Sequence, residues 1–137
     1  MASVLLDTTV ATLLHPKKQQ WSAFRLYDRY LVGNTLVISF QTAAELLLWG
    51  VQNRWGAAAL AQLDVFLARF VITPYDDVLG RHWARVMASA RSTGRRLESG
   101  DAWIAATAIR LGLPLITHDA DFRGLRFPGL KVICHAP

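Results

Sequence analysis

Cysteine is almost missing from this 137-residue chain. Cys134 is alone, so no intrachain disulfide can form, and a reducing compartment is expected. No apolar run reaches the roughly eighteen residues that a membrane-spanning helix needs. The opening Met1-Ala2-Ser3-Val4-Leu5-Leu6-Asp7 has no basic flank and meets a charge too early for a secretory leader, so the expected location is cytoplasmic, with no membrane partner. Charged residues make up only 18%, and there is neither an internal repeat nor a low-complexity segment, which argues for a compact folded protein with little disorder. Cys and His residues never cluster at zinc-binding spacing.

What is present is apolar and compact in character. The 53% hydrophobic content in 137 residues suits one domain, residues 1–137, with a sizeable core. A positive mean hydropathy points to apolar surface covered by a partner. Fifteen Lys and Arg against ten Asp and Glu leave a net charge of +5. That balance suits a polyanionic partner, and it equally suits a solvated basic surface.

Short β-branched or aliphatic runs alternate with helical patterns. Ser3–Leu6, Thr35–Ser39, Phe70–Thr73, Leu115–Thr117 and Lys131–Cys134 read as strands. Helices are expected over Val10–Leu14 (capped by Thr8 or Thr9), Lys17–Tyr30, from about Gln41 past Val51, Ala57–Arg69, Val78–Ala90 and Asp101–Leu111. Arg91 to Arg96 reads as an exposed basic link. Strand and helix alternating throughout predict an α/β fold. Its central sheet should be mostly parallel, with four to five strands and helices on both faces.

Four acids fall where such a fold concentrates chemistry. Asp7 ends the first strand, Glu45 lies in the second turn of the helix after the second strand, Asp101 opens a strongly apolar helix, and Asp119 follows the next strand. All could face the carboxyl edge of one sheet, where ligands bind in open parallel sheets. Converging carboxylates repel and tend to take up protons, a conflict that a hard divalent cation relieves. Such a cation lowers the pKa of a water it binds and stabilises charge on a phosphoryl oxygen, which matches phosphodiester hydrolysis.

Each residue also has a purely structural reading. Asp7 could be a turn or cap residue, and Asp101 a favourable charge in a helix first turn worth about 0.3–1 kcal/mol. Glu45 is more telling, because its neighbours make helix core and an unpaired ionised glutamate there is costly. Asp121 shares the loop of Asp119 and could be merely solvated. His118 could be a general base or a neutral loop residue. Thr8, Thr9 and Thr117 could hold a carboxylate or a metal's water from behind. Trp49, Trp55 and Trp103 are candidates for base stacking, though core packing explains them as well.

The segments Leu5-Leu6-Asp7-Thr8-Thr9, Thr42-Ala43-Ala44-Glu45-Leu46, Asp101-Ala102-Trp103-Ile104-Ala105-Ala106-Thr107-Ala108 and Leu115-Ile116-Thr117-His118-Asp119-Ala120-Asp121-Phe122 together resemble the PIN-domain family, specifically VapC-type toxins of bacterial toxin–antitoxin pairs. The resemblance spans nearly the whole chain in the family's order. It implies a magnesium-dependent endoribonuclease, with manganese able to substitute, whose catalytic and metal-holding acids are Asp7, Glu45, Asp101 and Asp119, with Thr117 beside them. It further implies an RNA substrate such as tRNA or ribosomal RNA, a homodimer, and an antitoxin that lies across the groove with an arginine in the acidic pocket. Thr9 departs from the asparagine that the family often carries at that position.

Two other classes compete. One is a non-catalytic RNA-binding or assembly module of the same fold, which the four intact acids oppose. The other is phosphotransfer on Asp7 in a receiver-like or dehalogenase-like domain. The dehalogenase motif wants an aspartate where this chain has Thr9, and no strand-end lysine is evident.

Overall fold

The computed structural model describes residues 2–18 and 21–137, and the side chains of all of these except residues 21 and 22. Five strands form one sheet: β1 (Ser3–Leu6), β2 (Thr35–Ser39), β3 (Val71–Thr73), β4 (Leu115–Thr117) and β5 (Val132–Cys134). Their order is β3-β2-β1-β4-β5, and every pairing is parallel. The chain therefore winds outward from β1 in one direction and then crosses back past it to fill the other side. This leaves β1 at the point where the winding reverses, the place where open α/β sheets bind ligands at strand carboxyl ends.

The apolar run Val4-Leu5-Leu6 divides between two cores, because successive strand residues point to opposite faces. Val4 and Leu6 join Val10, Tyr27, Ile38, Leu46, Leu63 and Phe66 on one face. Leu5 joins Val37, Val86, Ile104, Ala105, Leu115 and Phe122 on the other. Helices α1 (Thr8–Leu13), α2 (Trp21–Arg25), α3 (Asp28–Leu31), α4 (Phe40–Gln52) and α5 (Ala57–Leu67) precede the crossing. Helices α6 (Asp77–Ser92) and α7 (Ser99–Leu111) make the crossing and pack against each other over the second core. Both faces of the sheet are covered, as the alternating pattern predicts, and no described helix is long and apolar enough to cross a membrane.

Two expectations need correction. Asp7 itself caps α1 by accepting the Val10 amide, so neither Thr8 nor Thr9 is the cap and both lie within the helix. The single helix expected over Lys17–Tyr30 is instead a 3-10 turn at Pro16–Lys18 followed by the short α2 and α3. Between α2 and α3 the backbone tightens through Leu26 N–H to Ala23 and Tyr27 N–H to Phe24, which turns the fully buried Tyr27 ring into the core. The side chain of Trp21, expected on that helix, lies outside the described residues.

Helix α7 is set in place by two glycines. Gly112 closes it in the left-handed region at φ 66°, a conformation that favours glycine, and Pro114 follows before β4. At the other end, a Cβ on Gly100 would come within 2.8 Å of the Gln41 amide nitrogen and 3.2 Å of Glu45 Oε1. The missing side chain is what lets the first turn of α7 approach α4 so closely.

Candidate active site

Asp7, Glu45, Asp101 and Asp119 line one pocket of about 420 Å³ at the carboxyl edge of the sheet, together with Thr8, Thr9, Thr12 and Ile104. Two of the acids arrive on strand ends, Asp7 directly after β1 and Asp119 just beyond β4. The other two arrive on helices, Glu45 from α4 and Asp101 from the first turn of α7. The parallel register that sets Leu6 beside Ile116 delivers the two strand ends side by side.

Asp7 is the most constrained of the four. It is only 2% exposed. Its Oδ1 accepts from the Thr9 hydroxyl at 2.6 Å and from the Val10 amide at 3.0 Å, and its Oδ2 accepts from the Thr117 hydroxyl. Burial still dominates and raises its pKa to about 6, with the Asp119 charge adding to the rise against those hydrogen bonds. Asp101 is half-buried and also pushed up to about 6, first by desolvation and then by the charges of Asp119, Glu45, Asp7 and Asp121. Burial leads both shifts, and the neighbouring carboxylates weigh more on Asp101 than on Asp7.

The threonines act as struts. Thr9 donates to Asp7 while accepting the His118 amide at 3.0 Å, and Thr117 donates to Asp7 while accepting the Asp119 amide at 2.9 Å. Each thereby ties the β1 end to the loop after β4. Thr8 donates to Glu45 Oε2, and the Gln41 amide donates to Glu45 Oε1 at 2.8 Å. Glu45 is thus half-buried at the pocket wall rather than sunk in helix core as expected: of the residues flanking it Leu46 is buried, while Ala44, Leu47 and Leu48 are exposed.

Asp121 does not line the pocket. It is exposed, its amide donates to Asp119 Oδ1 at 2.9 Å, and its carbonyl accepts from Arg95. His118 points toward the core edge, where Nδ1 meets the Tyr27 hydroxyl at 2.6 Å, and it too is absent from the pocket lining. Trp49 and Trp55 are packing residues around the buried His15, at 5.0 and 5.4 Å, and Trp103 stacks on Trp83 at 5.0 Å and meets Phe40 and Tyr75 edge-on. Gln41, Thr12 and Gly100 were missed from sequence. Gln41 carried a legible signal, since it precedes Glu45 by one helical turn and such pairs face each other.

Among the described residues no three His, Cys, Asp or Glu side chains close around a point as a finished metal cage. The donor chemistry nevertheless fits a hard divalent cation. The polar side-chain groups that line the pocket are carboxylate and hydroxyl oxygens, the donors that such a cation prefers.

The PIN domain model matches residues 4–128. Ribonuclease VapC5 of Mycobacterium tuberculosis is 32% identical over 133 residues, covering 90% of this chain and 88% of that protein. Ribonuclease VapC4 of the same organism is 31% identical over 108 residues, covering 77% and 81%. Among solved structures, the VapBC-5 toxin–antitoxin system of Mycobacterium tuberculosis superposes with a TM-score of 0.73 at 29% identity, covering 98% of this chain and all of that one, 100%. VapBC2 from Rickettsia felis, bound to a promoter DNA fragment, superposes at 0.80 with 22% identity over 98% and 99% of the two chains, a likeness of fold. The pocket at the β1 switch point and the match over nearly all of its length place this chain in the PIN domain family, among the VapC proteins.

Proposed function

We propose that this chain is the toxin of a toxin–antitoxin pair and acts as a magnesium-dependent endoribonuclease, with manganese able to substitute. The observation that carries the reading is the single pocket lined by Asp7, Glu45, Asp101 and Asp119, braced by Thr8, Thr9 and Thr117. The similarity to proteins named ribonucleases supports it.

Asp7, Asp101 and Asp119, with Glu45 at the wall, would hold the cation. When bound it supplies Lewis acidity at the scissile phosphate and a more acidic water. The chain's own contribution is positional. Asp7 is locked by its three donors, so its carboxylate is presented at a fixed angle and needs no reorganisation as the substrate arrives. Thr117 and Thr9 carry that fixation to the Asp119 loop. Thr8 and Gln41 use one oxygen each of Glu45, which fixes its rotamer against α1 and α4. Asp101, which accepts no hydrogen bond among the described residues, offers its carboxylate oxygens to the cation.

The exposed apolar side chains Leu47, Leu48, Val51 and Val65 on α4 and α5 support the accompanying reading of a homodimer and of an antitoxin laid across the groove, its arginine entering the acidic pocket. The direct test is cleavage of total cellular RNA by the purified chain with manganese. Loss of cutting in Asp7→Asn and Asp101→Asn with retained folding is expected, and full activity in both variants would overturn the reading. A non-catalytic module of the same fold predicts no cutting by the unsubstituted chain.

A further inference from the structure

Outside the acidic pocket, two cavities of about 460 and 290 Å³ adjoin each other and share Leu125 and Arg126. The larger adds Arg123 and Phe127, and the smaller adds Arg95 and Thr93. No acid lines either one. Among the described residues the ion pairs are Arg81 with Asp77 and Arg110 with Asp76, so Arg95, Arg123 and Arg126 have no carboxylate partner. Three arginines thus line the adjoining cavities without an acid among the lining residues, an arrangement of positive charge that suits a polyanion.

The position of this trough is fixed relative to the pocket. The Arg95 guanidinium donates to the Asp121 carbonyl, and the Asp121 amide donates to Asp119 Oδ1. The same short loop therefore carries an acid of the pocket and anchors the first arginine of the trough. Gly124 makes room for this arrangement, because a Cβ there would collide with the Arg95 guanidinium.

We propose that these two cavities form one anion-binding trough that holds the sugar-phosphate backbone of an RNA strand whose neighbouring phosphodiester lies in the acidic pocket. The proposal rests on the nuclease reading for the identity of the polyanion. Planar guanidinium forks match phosphate oxygens two at a time, and the half-buried Phe127 ring and Pro128 give the trough an apolar wall for the sugar or base. Charge complementarity selects RNA over a hydrophobic peptide, and the hydrogen bonds from Arg95 through Asp121 to Asp119 join the trough to the loop that carries a pocket acid.

The test is fluorescence anisotropy of a labelled single-stranded RNA of mixed sequence in chelator, where binding is read without cleavage. Arg123→Gln/Arg126→Gln should weaken binding by about tenfold and reduce the slope of log affinity against log salt by about 1.4, the loss of two phosphate contacts at about 0.7 each. Arg126→Glu should move both readouts in the same direction, and unchanged thermal melting of both variants excludes unfolding. Unchanged affinity and slope would overturn the trough. So would variants that bind RNA normally yet no longer co-purify with the antitoxin, since the face would then belong to the protein partner. An unsubstituted chain that binds RNA through these arginines but cuts none would uphold the trough while removing the nuclease reading.

Discussion

Asp7, at the end of the central strand, is 2% exposed and accepts three hydrogen bonds, whereas Asp101, at the start of α7, is half-buried and accepts none among the described residues. Both nonetheless have pKa values raised to about 6. For Asp7 burial outweighs good hydrogen bonding. For Asp101 the neighbouring carboxylates add to a milder desolvation. Asp7 is therefore part of a rigid frame, and Asp101 is open to whatever enters. Glu45 stands between them, half-buried but pinned by Thr8 and Gln41.

Removing either kind of carboxylate should have the largest effect. Asp7→Asn and Asp101→Asn are each expected to lower RNA cleavage by about a hundredfold or more, in line with the charge stabilisation a metal site supplies. The two should differ in stability. Asn at position 7 still accepts the Val10 amide and carries no buried charge, so Asp7→Asn should melt higher than the unsubstituted chain in chelator at pH 7.5. Asp101→Asn should move the melting temperature less.

The pH dependence sharpens the same contrast. A carboxyl whose folded pKa lies above its unfolded value of 3.8 favours the folded state below 3.8, and that contribution disappears as pH rises through about 6. Metal-free protein should therefore lose stability between pH 4 and 7, by roughly 3 kcal/mol from Asp7 alone. Magnesium or manganese added at pH 7 should restore melting temperature by binding the ionised set. Flat melting across this range, with no response to either cation, would count against a metal-holding cluster.

Smaller effects test the struts. Thr117→Val keeps the shape but leaves Asp7 Oδ2 without its donor, and activity should fall about 10- to 100-fold, as for other groups that orient metal-holding side chains. Gly100→Ala should push the Gln41 amide off Glu45 and reduce activity more mildly, with circular dichroism unchanged. Gly124→Ala should have the least effect on cleavage of a short RNA. Its collision is with the flexible end of Arg95, which can move aside.

Much of this was legible in the residues. Apolar runs ending in Asp7 and in Thr117-His118-Asp119, with helices between, announced a parallel α/β sheet and put its acids at the carboxyl edge. The region from Lys17 to Tyr30 was misread, because helical spacing of its apolar residues is also satisfied by two short helices that swing Tyr27 inward. Thr8 and Thr9 were legible as partners of the acids but not as residues inside α1, since Asp7 serves both as cap and as pocket acid. Position in the sequence favoured Asp119 over Asp121, and the turn after β4 agrees: Asp119 lines the pocket and Asp121 is exposed.

The sequence by itself determined the alternation of strands and helices, the membership in the PIN domain family, and the four acids, because these depend on local periodicity and on residue type at strand ends. Tertiary structure alone decided which oxygens are committed to threonine hydroxyls, how closely Gly100 lets α7 approach α4, and that Arg95, Arg123 and Arg126 meet in one trough. Those contacts join residues far apart in the chain. They depend on strand order and helix docking, which no local pattern encodes.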